Sequence, residues 1–193
     1  MERIINHIIN TMLVKGVIEE KQKSVTAYGL DLLLSTVISM TVLLAIGFVL
    51  GQGVQTICFL IPLVLFQGFG GGYHCQTHLR CWAVMVCSLL FALLVLQKLS
   101  TGLLVLAAAL SGYPILIIAP VQNSRAPFSE EFGRRMHRIV VWIYVGSLAA
   151  AGGIQVFIGD PRPVLSAVIL SGVSILGAYW HNALLVKTIE DKM

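Results

Sequence analysis

Two histidines and two cysteines stand close together in the stretch GGGYHCQTHLRC (residues 70–81), within a chain that is otherwise largely apolar. A cysteine beside a histidine can form a thiolate–imidazolium pair, and the thiolate is a strong nucleophile at neutral pH. The same side chains are types that bind zinc. The types of these four residues and their spacing leave three interpretations open: nucleophilic catalysis, a metal site or an ordinary interfacial loop. The four residues are His74, Cys75, His78 and Cys81.

The separation of His74 and Cys81 along the chain limits what this pair can do. On one continuous helix, seven residues would put them on one face but about 10 Å apart along the axis, which is too far for proton transfer. They can cooperate only if the backbone between them bends. Glycines permit a bend where the backbone is buried in protein or wet, so we predict a broken or re-entrant region around residues 68–81. Four glycines precede the histidine: Gly68, Gly70, Gly71 and Gly72.

The spacing of these residues fits a zinc site less well than it fits catalysis. His74 and Cys75 are adjacent, which is a poor arrangement for two ligands of one ion, and the sequence has no second cluster of ligands. We therefore expect no metal and no cofactor. The remaining cysteines, Cys58 and Cys87, fall inside predicted membrane spans and are interpreted as small buried apolar residues.

The composition identifies the class of protein that must position these residues. The chain has 193 residues, of which 57% are hydrophobic and 11% charged, and its mean hydropathy is +0.88. These values are typical of an integral membrane protein. Since a helical span needs about 20 apolar residues, a chain of this length can cross the bilayer at most about six times. We predict one all-α membrane domain over residues 1–193, in contact with the lipid bilayer.

The N-terminal segment differs from the rest of the chain. Apolar residues recur at helical spacing over residues 2–22, with charged residues between them, which predicts an amphipathic helix within residues 1–24. This helix either lies in the membrane interface or packs on the other helices. About six transmembrane helices follow, and residues 121–138 form a loop. The predicted spans are residues 27–50, 54–70, 82–97, 101–120, 139–158 and 163–186.

The distribution of Lys and Arg predicts the orientation of the spans. If the N-terminus is cytoplasmic, eleven of the 13 Lys and Arg residues lie on the cytoplasmic side, and only Lys98 and Arg162 lie outside. Both termini, the 121–138 loop and the GGGYHCQTHLRC stretch are then cytoplasmic, where thiols stay reduced. The net charge of +4 suits anionic headgroups. Nucleic acid binding is not needed to explain it.

Two further groups of polar residues are candidates for function. Asp31, in YGLDLLL, lies about one turn into the first predicted span, and an acid there is either functional or reaches back to the interface. In the loop, Ser129 is a candidate N-cap of a short helix. That helix could dock an acidic segment or the lipid surface, or the loop is simply an ordinary basic one. Its basic residues are Arg134, Arg135 and Arg138. The histidines His7, His137 and His181 are interpreted as structural.

Three stretches of the sequence resemble one known family. GGYH followed by a cysteine seven residues after the histidine, YGLDLLL (residues 28–34) and APVQNSRAPFSEE (residues 119–131) are similar to motifs of the accessory gene regulator B family. This family consists of membrane peptidases that process quorum-sensing peptides in Gram-positive bacteria. With the amphipathic N-terminus, the resemblance covers essentially the whole chain.

The resemblance implies a membrane-embedded cysteine endopeptidase acting on a short amphipathic precursor peptide. Cys81 matches the family's nucleophile and His74 its general base. Cleavage would release the C-terminal tail and leave a thioester on Cys81. An internal Cys or Ser of the peptide would then displace Cys81, giving a cyclic thiolactone or lactone autoinducing peptide. The resemblance also implies a homodimer.

The sequence departs from the family pattern at two positions. Gln67 stands seven residues before the histidine, where the family often has Arg, so a charge-based role there is absent or has moved to Arg80. Cys75 replaces a small residue, and we interpret it as a bystander. Residue chemistry makes Asp31 or Gln67 a candidate for orienting His74, and Gly72 and Arg80 candidates for positioning substrate.

A second interpretation treats the chain as a non-enzymatic membrane protein. It would then be a peptide exporter or a metal-binding scaffold, and the polar stretch would be a pore or a ligand site. The two interpretations differ in whether processing of the precursor depends on Cys81.

Overall fold

Most of the described chain is α-helical. The computed structural model describes residues 2–71, 78–121, 129–157 and 159–190, and these residues contain no strand. The all-α prediction is confirmed. Short 3-10 turns occur at Glu20–Gln22 and Leu96–Lys98. The helices are α1 (Glu2–Val14), α2 (Lys23–Val49), α3 (Gly53–Gly70), α4 (His78–Leu94), α5 (Thr101–Ile117), α6 (Glu130–Phe157) and α7 (Arg162–Glu190).

The six predicted spans correspond in order to α2 through α7. By length and composition, five helical segments in the described residues can cross a membrane. The remaining predicted span corresponds to α5, which is apolar but has only 17 residues, or about 25 Å of helix. The five segments are Glu20–Val49, Gly53–Gly70, Leu79–Lys98, Glu130–Phe157 and Arg162–Leu184.

The amphipathic N-terminal helix is shorter than predicted. α1 ends at Val14, because Gly16 adopts a left-handed conformation with φ of 67°. The N–H of Gly16 donates to Leu13 O at 3.0 Å and that of Val17 to Met12 O at 2.9 Å, which are the two bonds of a Schellman motif. Apolar periodicity continues past this point, but the helix does not. The side chains of Ile5 and Ile9 are buried, so α1 packs on protein along this face.

The predicted boundary of the central loop is also wrong. Residues 130–138 are not a separate short helix but the first turns of α6, which continues to Phe157. The predicted N-cap is confirmed, since the N–H of Phe132 donates to Ser129 Oγ at 3.3 Å. Glu130 and Glu131 follow in the first turn, where acidic side chains stabilise a helix.

Contacts divide the chain into two compact units, Met1–Val42 and Leu43–Met193. In the second unit α7 is the central helix and packs against α3, α4, α5 and α6. Residues 163–168 of α7 are all buried, as expected for a helix surrounded by others. That the chain forms one membrane domain stays a prediction.

Small residues let the helices of the second unit approach closely. A Cβ atom on Gly172 would lie 2.8 Å from Ser111 Cβ, so α5 and α7 are in backbone contact there. A Cβ atom on Gly112 would lie 2.5 Å from the hydroxyl oxygen of Tyr144, which donates a hydrogen bond to Ala108 O at 3.2 Å. Such small-residue contacts are the usual means of helix packing in membranes.

The connections of the second unit gather at two opposite ends. At one end, Nη1 of Arg162, the first residue of α7, donates to the carbonyl oxygen of Gln97, which follows α4, at 2.6 Å. At the other, the N–H of Val121, after α5, donates to Gly70 O, at the end of α3, at 3.0 Å. Lys98 and Arg162, predicted to lie outside, thus belong to one end. The alternation of ends agrees with successive crossings.

Candidate active site

The helix that leads toward the position of His74 ends at a glycine, within the region where we predict a break. α3 ends at Gly70, Gly71 is left-handed with φ of 68°, and α4 begins at His78. The break is narrower than the predicted 68–81. Gly68 and Gly70 are helical, and Arg80 and Cys81 lie in the first turn of α4.

Cys81 is half-buried at this N-terminus and is not in a disulfide. The N-terminal turn of a helix carries partial positive charge, which stabilises an anion such as a thiolate. Arg80 beside it is exposed. The first turn of α4 therefore presents a thiol in a setting that suits a nucleophile.

Two predicted site residues, Gly72 and His74, lie outside the described residues, as does Cys75, the predicted bystander. Their roles stay predictions. The zinc interpretation also depends on His74 and Cys75. In the part of the chain that is described, no three His, Cys, Asp or Glu side chains are grouped so that they could hold a metal ion.

Gln67 of α3 faces the side of α4 that carries Cys81. Its Nε2 donates to the sulfur of Met85 at 3.4 Å, and Met85 follows Cys81 by four residues. Residues at this spacing are neighbours on one helix face, with Cβ atoms about 5–6 Å apart. The structure therefore brings Gln67 against the turn of α4 that follows Cys81.

Two backbone contacts hold the end of α3 against the segment after α5. Val121 N–H donates to Gly70 O at 3.0 Å. A Cβ atom on Gly71 would lie only 2.4 Å from Val121 O. Both the contact and the left-handed backbone require glycine at position 71.

His137, interpreted from the sequence as structural, makes a contact that no sequence pattern predicted. Its Nδ1–H donates to Ala119 O at 2.8 Å. Since a carbonyl can only accept, the ring proton is on Nδ1. The two residues are 18 positions apart on different elements, and no local pattern signals their pairing.

Asp31 lies deeper in its helix than predicted. It stands eight residues after the start of α2 at Lys23, which is more than two turns. The side chain is half-buried and engaged in an interaction. It belongs to the first compact unit, Met1–Val42.

The three loop arginines project from one face of α6. They occupy an arc of about 100° opposite the buried face, at 100° per residue. All three are exposed, and Arg134 Nη1 pairs with Glu130 Oε2 at 3.5 Å. Within the described residues, Arg135 and Arg138 have no ion-pair partner. The buried face consists of Val140, Tyr144, Ser147 and Ala151.

Exposed tryptophans lie on the two helices that contact Gly70. Gly70 lies against Val140 of α6 and Ile175 of α7. Trp142 stands two residues after Val140 and is 73% exposed, and Trp180 stands five residues after Ile175 and is 65% exposed. Tryptophan side chains with exposed rings are enriched where membrane meets water. That the turn carrying Cys81 lies at the membrane edge stays a prediction, with which the positions of these two tryptophans agree.

Comparison with known proteins gives the family. No curated protein and no solved structure matches the chain. The model of one family, described as accessory gene regulator B, matches residues 1–184. This family takes part in the processing of accessory gene regulator peptides. Because the match covers nearly the whole chain, this membrane protein belongs to the accessory gene regulator B family.

Proposed function

We propose that the protein is a membrane-embedded cysteine endopeptidase that cleaves a short precursor peptide and promotes its cyclisation to an autoinducing peptide for quorum sensing. The observation that carries the proposal is the position of Cys81 in the first turn of α4, after the break that begins at Gly71. Family membership supports a peptide as the substrate.

In the proposed reaction His74 takes the proton of the Cys81 thiol, and the sulfur attacks the carbonyl carbon of the scissile peptide bond. When this bond breaks, His74 gives the proton to the leaving amine, and the C-terminal tail departs. The remaining peptide is held on Cys81 as a thioester. A Cys or Ser of the peptide then attacks the same carbonyl, which forms the ring and returns the thiol of Cys81.

The location of Cys81 favours cyclisation over hydrolysis. A thioester at the membrane edge meets less water than one on a soluble protein, and exclusion of water suppresses hydrolysis of reactive intermediates. An internal nucleophile of a bound peptide also has a high effective concentration. Both effects preserve the energy of the acyl bond for ring closure.

The basic face of α6 is the proposed docking surface for the precursor's tail. Arg134, Arg135 and Arg138 are exposed on α6, whose start lies at the same end of the second unit as the break at Gly71. An acidic tail would be attracted there by its charge. In this proposal that end faces the cytoplasm of a Gram-positive cell, as do both termini. Homodimerisation stays a prediction.

The test is co-expression of the protein with a precursor that has an acidic C-terminal tail, followed by mass spectrometry of the peptide products. Cys81→Ala and His74→Ala are each expected to abolish tail release, because each removes one member of the proposed pair. Cys75→Ala is the matched control for loss of a thiol, and we expect it to keep most of the activity.

Full tail release by the Cys81→Ala protein would overturn the proposal and favour a non-enzymatic role. A trapped thioester provides a further check. The precursor without its internal Cys or Ser should accumulate on wild-type protein as an adduct that hydroxylamine releases, and should form no adduct on Cys81→Ala.

A further inference from the structure

His137 is connected to the end of α3 through three successive contacts. Its ring donates to Ala119 O at 2.8 Å. Two residues later, the N–H of Val121 donates to Gly70 O at 3.0 Å, and Val121 O occupies the space that a Cβ of Gly71 would need. We call the residues of this arrangement the clamp, namely Gly70, Gly71, Ala119, Val121 and His137.

α6 holds the clamp from two points on one helix face. Val140 follows His137 by three residues, so both side chains point to the same side of α6. His137 fastens the chain after α5, while Val140 lies against Gly70, where a Cβ would be 3.8 Å from its Cγ2. Ile175 of α7 completes the contact, 3.4 Å from the same position. The end of α3 is therefore located by α6, α7 and the chain after α5.

The clamp is close in sequence to the proposed general base. His74 comes three residues after Gly71, and three residues span at most about 11 Å. The clamp therefore sets the place and direction of Gly71, from which the chain continues to His74. A displacement of about 1 Å in a catalytic group can lower the rate about 100-fold.

We propose that His137 is a positioning residue for the peptidase reaction, acting through the clamp on the placement of His74 relative to Cys81. The inference rests on the proposed function. His137 itself touches the backbone at Ala119 and is not a catalytic residue. Its donor atom, rather than its charge, is what the clamp uses.

The first experiment compares His137→Leu with His137→Asn. Asparagine can place an N–H donor near the position of Nδ1, whereas leucine cannot donate. His137→Leu is expected to lower the rate of tail release at saturating precursor about 10- to 100-fold with little change in KM, and His137→Asn to recover most of the loss. His7→Leu, at an exposed histidine of α1, is the matched control and should leave the rate unchanged.

The second experiment tests the backbone side of the clamp. Gly71→Ala places a Cβ against Val121 O and strains the left-handed backbone, so it should resemble His137→Leu. Gly68→Ala is the control three residues earlier, where a Cβ meets nothing within 4 Å. Thermal melting in detergent checks that the variants fold.

A third readout distinguishes positioning from a general structural effect. In a Cys87→Ala background, Cys81 is the only thiol on the tryptic peptide that begins after Arg80. Its alkylation by iodoacetamide is measured against pH by mass spectrometry. If His137 positions His74, His137→Leu shifts the profile to higher pH, as His74→Ala does, and the double variant shifts it no further.

The outcomes separate the two proposals. Wild-type rates and alkylation profiles for both His137→Leu and Gly71→Ala, with Cys81→Ala and His74→Ala inactive, would overturn the clamp and leave the peptidase intact. Activity in Cys81→Ala would overturn the peptidase itself. Loss of activity in His137→Leu with a wild-type alkylation profile and no recovery in His137→Asn would also contradict positioning.

Discussion

Gln67 occupies a position where the family often has arginine. Its contact with Met85 explains why a neutral side chain suits this position. Its amide donates to the sulfur of Met85, one turn beyond Cys81 on α4. A thioether sulfur is a weak acceptor and would not compensate a half-buried guanidinium. Met85 itself is buried, so the contact also positions the first turns of α4 against α3.

Replacing Gln67 with leucine should slow the reaction while the fold is retained. Leucine has a similar size but cannot donate to Met85 or to His74, and loss of one hydrogen bond corresponds to about a 2- to 10-fold lower rate of tail release. Gln155→Leu, an exposed position of α6, is the control. A wild-type rate for Gln67→Leu would remove Gln67 from the candidates for orienting His74.

At the scale of the element, α6 differs most from its predicted form. A helix that starts at Glu130 rather than near residue 139 carries its three arginines in fixed relation to Val140 and Tyr144, which pack in the core. Ser129 as N-cap and the two acids of the first turn explain why the helix begins there. The positive charges therefore stand on a packed helix and not on a loop.

Neutralising two of these charges should weaken binding of the precursor and leave the chemical step unchanged. Arg135→Gln with Arg138→Gln is expected to raise the KM for a precursor with an acidic tail about 3- to 10-fold, since exposed ion pairs contribute about 0.2–1 kcal/mol each. The KM of this variant should also depend less on salt concentration than that of the wild-type protein. Lys98→Gln, an exposed cation at the opposite end of the second unit, is the control. A lower maximal rate with an unchanged KM would contradict docking on this face.

At the scale of the whole molecule, packing around α7 keeps the two ends of the second unit in place. The helices contact one another at glycines, and many large apolar side chains remain exposed, as expected for a protein surrounded by lipid. Close backbone contact of α5 and α7 at Gly172 is central to this packing, since α5 leads directly to Ala119 and Val121 of the clamp.

An added methyl group should destabilise the protein at one glycine of α7 but not at another. Gly172→Ala is expected to destabilise the protein by about 1–3 kcal/mol, because its Cβ would lie 2.9 Å from the backbone oxygen of Ser111. Gly177→Ala meets nothing within 4 Å and should be neutral or stabilising by up to about 1 kcal/mol. Thermal melting in detergent measures both, and equal melting temperatures would refute the predicted contact.

Much of the fold could be predicted because the rules involved are local. Hydropathy over about 20 residues marks the spans, glycine at Gly71 ends α3, and Ser129 caps α6, each for reasons contained in a few neighbouring residues. The predicted end of α1 and the predicted start of α6 were wrong because these rules consider only local sequence. Apolar periodicity does not stop where a left-handed Gly16 ends a helix, and polarity does not exclude a helix between residues 130 and 138.

The sequence by itself determined the class of protein and the order of its membrane helices, since composition and hydropathy are properties of the chain alone. The candidate nucleophile came from the resemblance of one motif to a known family. Only the tertiary structure decided that Gln67 reaches the helix of Cys81 and that His137 holds the chain at Ala119. These contacts join residues 18 positions apart on different elements. They depend on how α3, α4, α5 and α6 pack around α7, and no local pattern encodes that packing.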